Sequence, residues 1–184
     1  MRIAILWLLV LALWPRSANA DSISADLEMA IHLKILSFDS GLRQRTSGNV
    51  IYIAVLYTPT SKGNANDFVN AVARLEKTGV TVHGKKVRAQ AVPVTADLAE
   101  RLGGYSVLYV IDEVGSGDVP AIAQIAFSRK LPLLSGERSY LASGAAIAVI
   151  EKANKPRIVV HAGNAKNCGM VLDSKLLRLA EVIK

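Results

Sequence analysis

The pattern of apolar residues is clearest at the end of the chain. Four apolar residues recur there at spacings of four, three and four: Leu172, Leu176, Leu179 and Ile183. This period places them on one face of a helix, and Asp173 and Ser174 can accept hydrogen bonds from free N–H groups at its start. Residues 169–184 are therefore predicted to form an amphipathic helix that docks on the core.

Earlier in the chain, apolar segments alternate between the patterns of strands and helices. The predicted helices are residues 24–38, 67–77, 96–102 and 118–130. The predicted strands are Val50–Tyr57 and residues 87–94, 106–111, 131–135, 145–152 and 156–161. The unbroken apolar run Val50–Tyr57 is typical of a strand that is buried on both faces of a parallel sheet. Alternation of strands with helices indicates βαβ crossovers.

The last two predicted strands are separated only by Ala153, Asn154 and Lys155, which is too short for a crossover helix. They should form an antiparallel hairpin, because Asn154 tolerates the left-handed backbone conformation that such turns need. The sequence thus predicts an α/β fold. It is a single-domain Rossmann-like sandwich with a mostly parallel sheet, helices on both faces and a C-terminal antiparallel hairpin.

The start of the chain has the pattern of a signal peptide. Arg2 precedes an apolar run over residues 3–14, and Ala18-Asn19-Ala20 is a small-residue cleavage signal. A membrane anchor is the alternative, but this run is short for a span of about 20 residues and Pro15 follows it directly. Cleavage after Ala20 predicts an exported protein in which residues 21–184 form one domain. In a Gram-negative bacterium the protein would be located in the periplasm.

Charge and cysteine content narrow the possible partners. The net charge is +7 and aromatic residues make up 5% of the chain. The basic residues are spread along the chain without interleaved aromatics, which favours a solvated surface over nucleic-acid binding. An acidic protein partner or anionic lipid headgroups are the remaining alternatives. Cys168 is the only cysteine, and we expect it to be buried rather than paired between chains.

The sequence lacks the common catalytic patterns. No G-x-S-x-G elbow occurs, and Ser116, between two glycines, is typical of a flexible loop. His32, His83 and His161 are scattered without the spacing of zinc ligands. The sequence therefore predicts a protein that is not an enzyme and has no cofactor or metal.

One loop has the composition of a small-ligand site. Residues 58–64 follow the carboxyl end of the first predicted strand and lead towards a helix, where open α/β sheets bind ligands. Hydroxyls, a lysine and free N–H groups could hold an anion there. The candidate residues are Thr58, Thr60, Ser61, Lys62 and Asn64. The loop has no nucleotide-binding fingerprint, and an ordinary polar connector is the favoured alternative. The acidic loop 112–118 is a second candidate, for a metal ion, and the sequence favours it less.

Several short segments are informative through their order. They are K-I-L-S-F in the first helix, the strands IYIAVLY and S-V-L-Y-V-I, P-L-L-S, a hairpin led by Gly144, and Gly169 followed by L-L-R-L-A. In this order they resemble the YfiR/HmsC-like family of small exported bacterial proteins, most extensively over residues 132–183.

This resemblance implies a regulatory function. Members of the family are similar to periplasmic proteins that repress a membrane diguanylate cyclase by binding its periplasmic sensor domain, which lowers cyclic-di-GMP and biofilm formation. An outer-membrane lipoprotein can sequester such proteins, and homodimers are common among them. The resemblance thus implies a non-enzymatic regulator. The alternative is a periplasmic binding module for a small ligand, either an anion or a metabolite.

The chain departs from the family pattern in two places. The family often carries cysteine pairs, whereas Cys168 is alone here, and the aromatic-Trp-Pro at the end of the first helix is replaced near Phe38-Asp39. By resemblance, the exposed side of the closing segment is the candidate surface for the partner. Its residues are Asp173, Lys175 and Arg178, although surface solubility explains these charges equally well.

Overall fold

Seven strands form one sheet in the computed structural model, which describes residues 23–46 and 48–184. The strands are β1 (Val50–Tyr57), β2 (Lys86–Pro93), β3 (Val107–Val110), β4 (Leu133–Ser135), β5 (Ile147–Lys152), β6 (Lys155–His161) and β7 (Glu181–Ile183). Their order is β2-β1-β3-β4-β5-β6-β7, and only β5 and β6 run antiparallel. The predicted sheet is confirmed. The predicted signal peptide lies outside the described residues.

Helices cover both faces of this sheet. They are α1 (Ala25–Leu36), α2 (Ser40–Arg45), α3 (Lys62–Lys77), α4 (Leu98–Arg101), α5 (Val119–Arg129), α6 (Ala162–Asn167) and α7 (Ser174–Leu179). Successive strand residues point to opposite faces, and all of β3 is buried, so both faces must be covered. In the part of the chain that the structure describes, no helix has the length and apolarity to cross a bilayer.

Asp39 organises the junction between the first helix and the end of the chain. It is fully buried, and its carboxylate accepts hydrogen bonds from the backbone N–H of Gly41 at 3.0 Å and of Val171 at 2.8 Å. Arg45 supplies the opposite charge at 3.2 Å. The region where the family's aromatic-Trp-Pro is replaced is therefore ordered by a buried carboxylate, which starts α2 and anchors the segment before α7.

Helix α3 begins at Lys62, five residues before the predicted start at Asp67. Thr58 and Ser61 cause this early start, because the Thr58 N–H donates to Ser61 Oγ at 3.1 Å and their hydroxyls lie 2.9 Å apart. These contacts form a capping box around a short 3-10 turn, Pro59–Ser61. Most of the predicted loop 58–64 is therefore helical.

The predicted antiparallel hairpin is confirmed, with Lys152 paired to Lys155 across a two-residue turn. Ala153 and Asn154 both adopt left-handed backbone angles, with φ of 52° and 55°. Positive φ at both central positions is the geometry of a type I′ turn, whose twist matches that of the flanking strands. Asn154 has the expected role, and the adjacent alanine takes the same conformation at a steric cost.

The prediction of one helix over residues 169–184 is wrong. Helix α7 ends at Leu179, which is 74% exposed, and Leu176 is the residue that packs into the core. Ala180 is extended, and the chain continues as β7 alongside β6. The reason is that an open sheet edge offers backbone hydrogen bonds over a stretch too short to sustain a stable helix.

Candidate functional site

A cleft opens at the carboxyl edge of the parallel strands. The chain leaves β1 through α3 towards β2, and leaves β3 through α5 towards β4 on the other side. Loops that depart in opposite directions from neighbouring parallel strands leave a crevice, which is the usual ligand position in open α/β sheets. The cavity there has a volume of about 430 Å³.

Carboxylates dominate the walls of this cleft. Five of its lining residues are acidic: Glu28, Asp67, Asp112, Glu113 and Glu151. Its apolar lining includes the side chains of Ile23, Phe68 and Val149. The cleft therefore combines strong negative potential with an apolar wall. We call it the acidic cleft.

Glu28 is the most buried carboxylate of the acidic cleft. Its position in the first turn of α1 turns it towards the sheet, and it is only 5% exposed. Tyr109, in the centre of β3, donates its hydroxyl to Glu28 Oε1 at 2.6 Å. Burial raises the pKa of Tyr109 well above its ordinary value, and Glu28 is the next cause. The phenol therefore stays protonated and remains a hydrogen-bond donor.

His32 lies one helical turn after Glu28, behind the acidic cleft. Its Nε2 is 3.5 Å from Glu28 Oε1, and its ring meets the Tyr109 ring edge-on at a centroid distance of 5.4 Å. The ring is 1% exposed, and neither nitrogen has a hydrogen-bond partner among the described residues. The three side chains thus form a buried polar cluster beneath the floor of the cleft.

Gly136, directly after β4, leaves a space beside which two carboxylates lie. A Cβ atom at this position would lie 2.8 Å from Glu28 Oε1 and 3.0 Å from Asp112 Oδ1. Real Cβ atoms do not approach so closely, so any larger residue would force these side chains apart. The absence of a side chain at Gly136 is therefore part of the geometry of the acidic cleft.

Asp112 titrates close to neutral pH. Burial, followed by Glu28, Glu137 and Glu113, raises the pKa of Asp112 from 3.8 to about 7. The residue nevertheless remains exposed at the mouth of the cleft, so solvent screens part of this effect. The Tyr140 hydroxyl donates to the Asp112 carbonyl at 2.6 Å and fixes the loop. The negative charge of the acidic cleft therefore grows as the pH rises and Asp112 ionises.

The structure separates the candidate residues of the predicted anion site. The hydroxyls of Thr58, Thr60 and Ser61 bond to one another, and Lys62 is exposed at the start of α3. Only Asn64 lines the acidic cleft, where its side-chain amide donates to Glu113. The other four residues do not line it, and anion binding by this loop stays a prediction.

The predicted partner surface lies elsewhere, at the far edge of the sheet. Asp173 caps α7 by accepting from the Lys175 N–H at 2.7 Å, and Asp173, Lys175 and Arg178 are all exposed. Glu28 and Gly136 carry no signal in the sequence that marks them as site residues. Asp112 and Glu113 can be recognised as candidate site residues from the sequence, because they follow a buried strand at the edge where ligands bind.

The cysteine and the two remaining histidines are either buried or bonded to the backbone. Cys168 is fully buried, as expected, and burial raises the pKa of its thiol to about 11. His161 accepts a hydrogen bond from the Asn164 N–H and caps α6, while His83 Nε2 lies 2.9 Å from the Asp39 carbonyl. Within residues 23–46 and 48–184, no group of three or more metal-ligating side chains comes together.

Several solved structures share this fold. A conserved domain protein from Vibrio cholerae is 16% identical with a TM-score of 0.59, covering 88% of this chain and 61% of that chain. A ligand-free, open substrate binding protein with adhesive properties from Clostridium difficile is 19% identical with a TM-score of 0.59, covering 88% and 60%. An ABC domain in complex with L-Trp from Streptococcus pneumonia is 18% identical with a TM-score of 0.54, covering 81% and 60%.

The chain spans about three fifths of the length of these proteins, and identities this low show a common fold alone. No curated protein matches the sequence. The sequence profile of one family does match, over residues 25–181, which include α1 and extend into β7. This match covers every residue that lines the acidic cleft except Ile23 and Ser24. The chain therefore belongs to the YfiR/HmsC-like family.

Proposed function

We propose that this protein is a non-enzymatic periplasmic regulator that represses a membrane diguanylate cyclase by binding the cyclase's periplasmic sensor domain. The family match over residues 25–181 is the observation that carries the proposal. Binding lowers cyclic-di-GMP and biofilm formation, and an outer-membrane lipoprotein can compete for the regulator. A homodimer is the proposed form of the protein, and residues 21–184 are proposed as its single exported domain.

The proposed contact surface comprises α7 and β7, and we call it the closing surface. Its charged residues Lys175 and Arg178 are exposed and lie beside two exposed apolar side chains, Leu179 at 74% and Val182 at 46%. Apolar side chains surrounded by charges are typical of surfaces that bind other proteins. Strand β7 also ends the sheet on this side.

Gene deletion with complementation tests this proposal. Deletion should raise cellular cyclic-di-GMP and matrix production, and the wild-type gene should restore both. Complementation with Leu179→Asp should fail, because a buried charge in the interface opposes binding. Lys77→Glu at the end of α3 is the control, since it changes an exposed charge near the opposite edge of the sheet. Unchanged cyclic-di-GMP after deletion would contradict the proposal.

A second candidate function is small-ligand binding, which the acidic cleft supports. It occupies the ligand position of open α/β sheets, and two of the structural neighbours are described as a substrate binding protein and as an L-Trp complex. A ligand and a cyclase could both bind one protein, because the cleft and the closing surface involve different residues. A thermal-shift screen of the purified protein tests this candidate, since a bound ligand raises the melting temperature.

A further inference from the structure

The charge of the acidic cleft is opposite to that of the protein. The sequence carries a net charge of +7, yet five carboxylates and no lysine or arginine line the cleft. A cation is attracted to this concave site, where low-dielectric walls focus the field of the carboxylates. The charge distribution therefore selects positive ligands.

Glu28 adds an observation that is independent of this clustering. The side chain is more than nine-tenths buried and lines the cleft. Its Oε1 accepts a hydrogen bond from Tyr109 and lies 3.5 Å from His32 Nε2. Its Oε2 accepts no hydrogen bond from the described residues and is not completely buried. The charge of Glu28 is therefore only partly compensated for its loss of hydration, and a donor bound in the cleft would complete this compensation.

The apolar wall limits the class of donor. The Phe68 ring lines the cleft and packs on Tyr109 at a centroid distance of 4.8 Å, and Val149 and Ile23 extend the same lining. A volume of about 430 Å³ lies in the range of small-molecule sites. A bare metal ion would use neither the volume nor the apolar wall, while an ammonium or guanidinium group on a hydrocarbon body would use both.

We propose that the acidic cleft binds a small organic cation, with its ammonium or guanidinium group at Glu28 and Asp112 and its apolar body against Phe68. The inference rests on the ligand-binding candidate function and is independent of cyclase repression. Direct binding to the purified protein therefore separates failure of this inference from failure of the regulatory proposal, which cyclic-di-GMP levels report.

The test is calorimetric titration and thermal shift at pH 8 and low salt with 2-phenylethylammonium chloride, agmatine and putrescine. The neutral and anionic comparison compounds are 2-phenylethanol and phenylacetate. At a concentration of 100 times Kd, a cation should raise the melting temperature by about 5 to 10 °C. The comparison compounds should have no effect, and the affinity should fall as salt screens the carboxylates.

Variants assign the binding to the acidic cleft. Glu28→Gln and Asp112→Asn remove one charge each with little change in shape, and each should weaken binding at least tenfold. Glu100→Gln removes an exposed charge on α4, outside the cleft, and should leave the affinity unchanged. Asp112→Asn keeps the test informative if Glu28→Gln fails to fold.

Three results would overturn the inference. One is the absence of saturable binding of all three organic cations. Another is equal binding of 2-phenylethanol, which would show that charge is irrelevant. The third is a thermal shift with calcium chloride and none with the amines, which would identify the cleft as a metal site instead.

Discussion

Asp112→Asn offers a sharp test of the electrostatics of the acidic cleft. The pKa of Asp112 is raised to about 7, first by burial and then by Glu28, Glu137 and Glu113. A raised carboxyl pKa means that the folded protein keeps a proton that the unfolded chain releases. Stability therefore falls as the pH rises from about 4 to about 7, and the loss is complete above that range. Asparagine cannot ionise, so Asp112→Asn does not lose stability in this way as the pH rises.

The size of the effect follows from the shift and the exposure. A rise from 3.8 to about 7 corresponds to an upper bound of about 4 kcal/mol in the free energy of unfolding. Asp112 is exposed at the mouth of the cleft, where solvent screens charges, so a gain of about 1 kcal/mol is expected. For a domain of this size that raises the melting temperature by about 2 to 4 °C.

Urea unfolding at pH 8 and at about pH 3.5 measures this difference directly, because the lower pH lies below the ordinary carboxyl pKa of 3.8. Asp112→Asn should be more stable than the wild type at pH 8 and nearly equal to it at the lower pH, because other titrations cancel in the comparison. Glu100→Gln, which removes an exposed carboxylate on α4, should show no such dependence on pH. A variant that gains nothing at pH 8, or gains equally at both pH values, would refute the reasoning.

Three further substitutions test the packing around the cleft and sheet. Gly144→Ala should cost about 3 kcal/mol or more in unfolding experiments, because φ is +118° and the new Cβ would overlap that of Ala123. Tyr109→Phe should cost about 1 to 3 kcal/mol, since Glu28 loses its buried donor. Gly136→Ala should cost about 1 to 2 kcal/mol by crowding the carboxylates and should weaken binding of 2-phenylethylammonium, measured by calorimetry.

Matched controls separate these effects from simple changes of residue type. Gly63→Ala lies in α3 with open space around the added Cβ, so it should be neutral or stabilise the protein by up to about 1 kcal/mol. Tyr105→Phe removes an exposed hydrogen bond to Gln90 and should change stability little. The packing argument would be contradicted if Gly63→Ala lowered stability as much as Gly144→Ala. It would equally be contradicted if Tyr105→Phe lowered stability as much as Tyr109→Phe.

The sequence predicted the sheet well, because its signals are local. Eight consecutive apolar residues defined β1 with the bounds that the structure shows, and a three-residue connection fixed the antiparallel hairpin. The closing segment was predicted wrongly, because spacing alone cannot show that Ala180 leaves the helix. The edge of β6 that captures β7 is created by tertiary structure, which a periodic pattern does not record.

The acidic cleft was only half visible in the sequence for the same reason. Asp112 and Glu113 follow a buried strand, and their position at the carboxyl edge of a sheet is a local inference. Glu28 instead reads as a favourable acid in the first turn of α1. Its burial depends on Tyr109, which is 81 residues away. A surface acid becomes a site residue here because α1 packs against the sheet, where Tyr109 bonds one carboxylate oxygen of Glu28 and the other has no donor among the described residues. That open oxygen gives this site a stronger claim to a ligand than a polar loop whose hydroxyls satisfy one another.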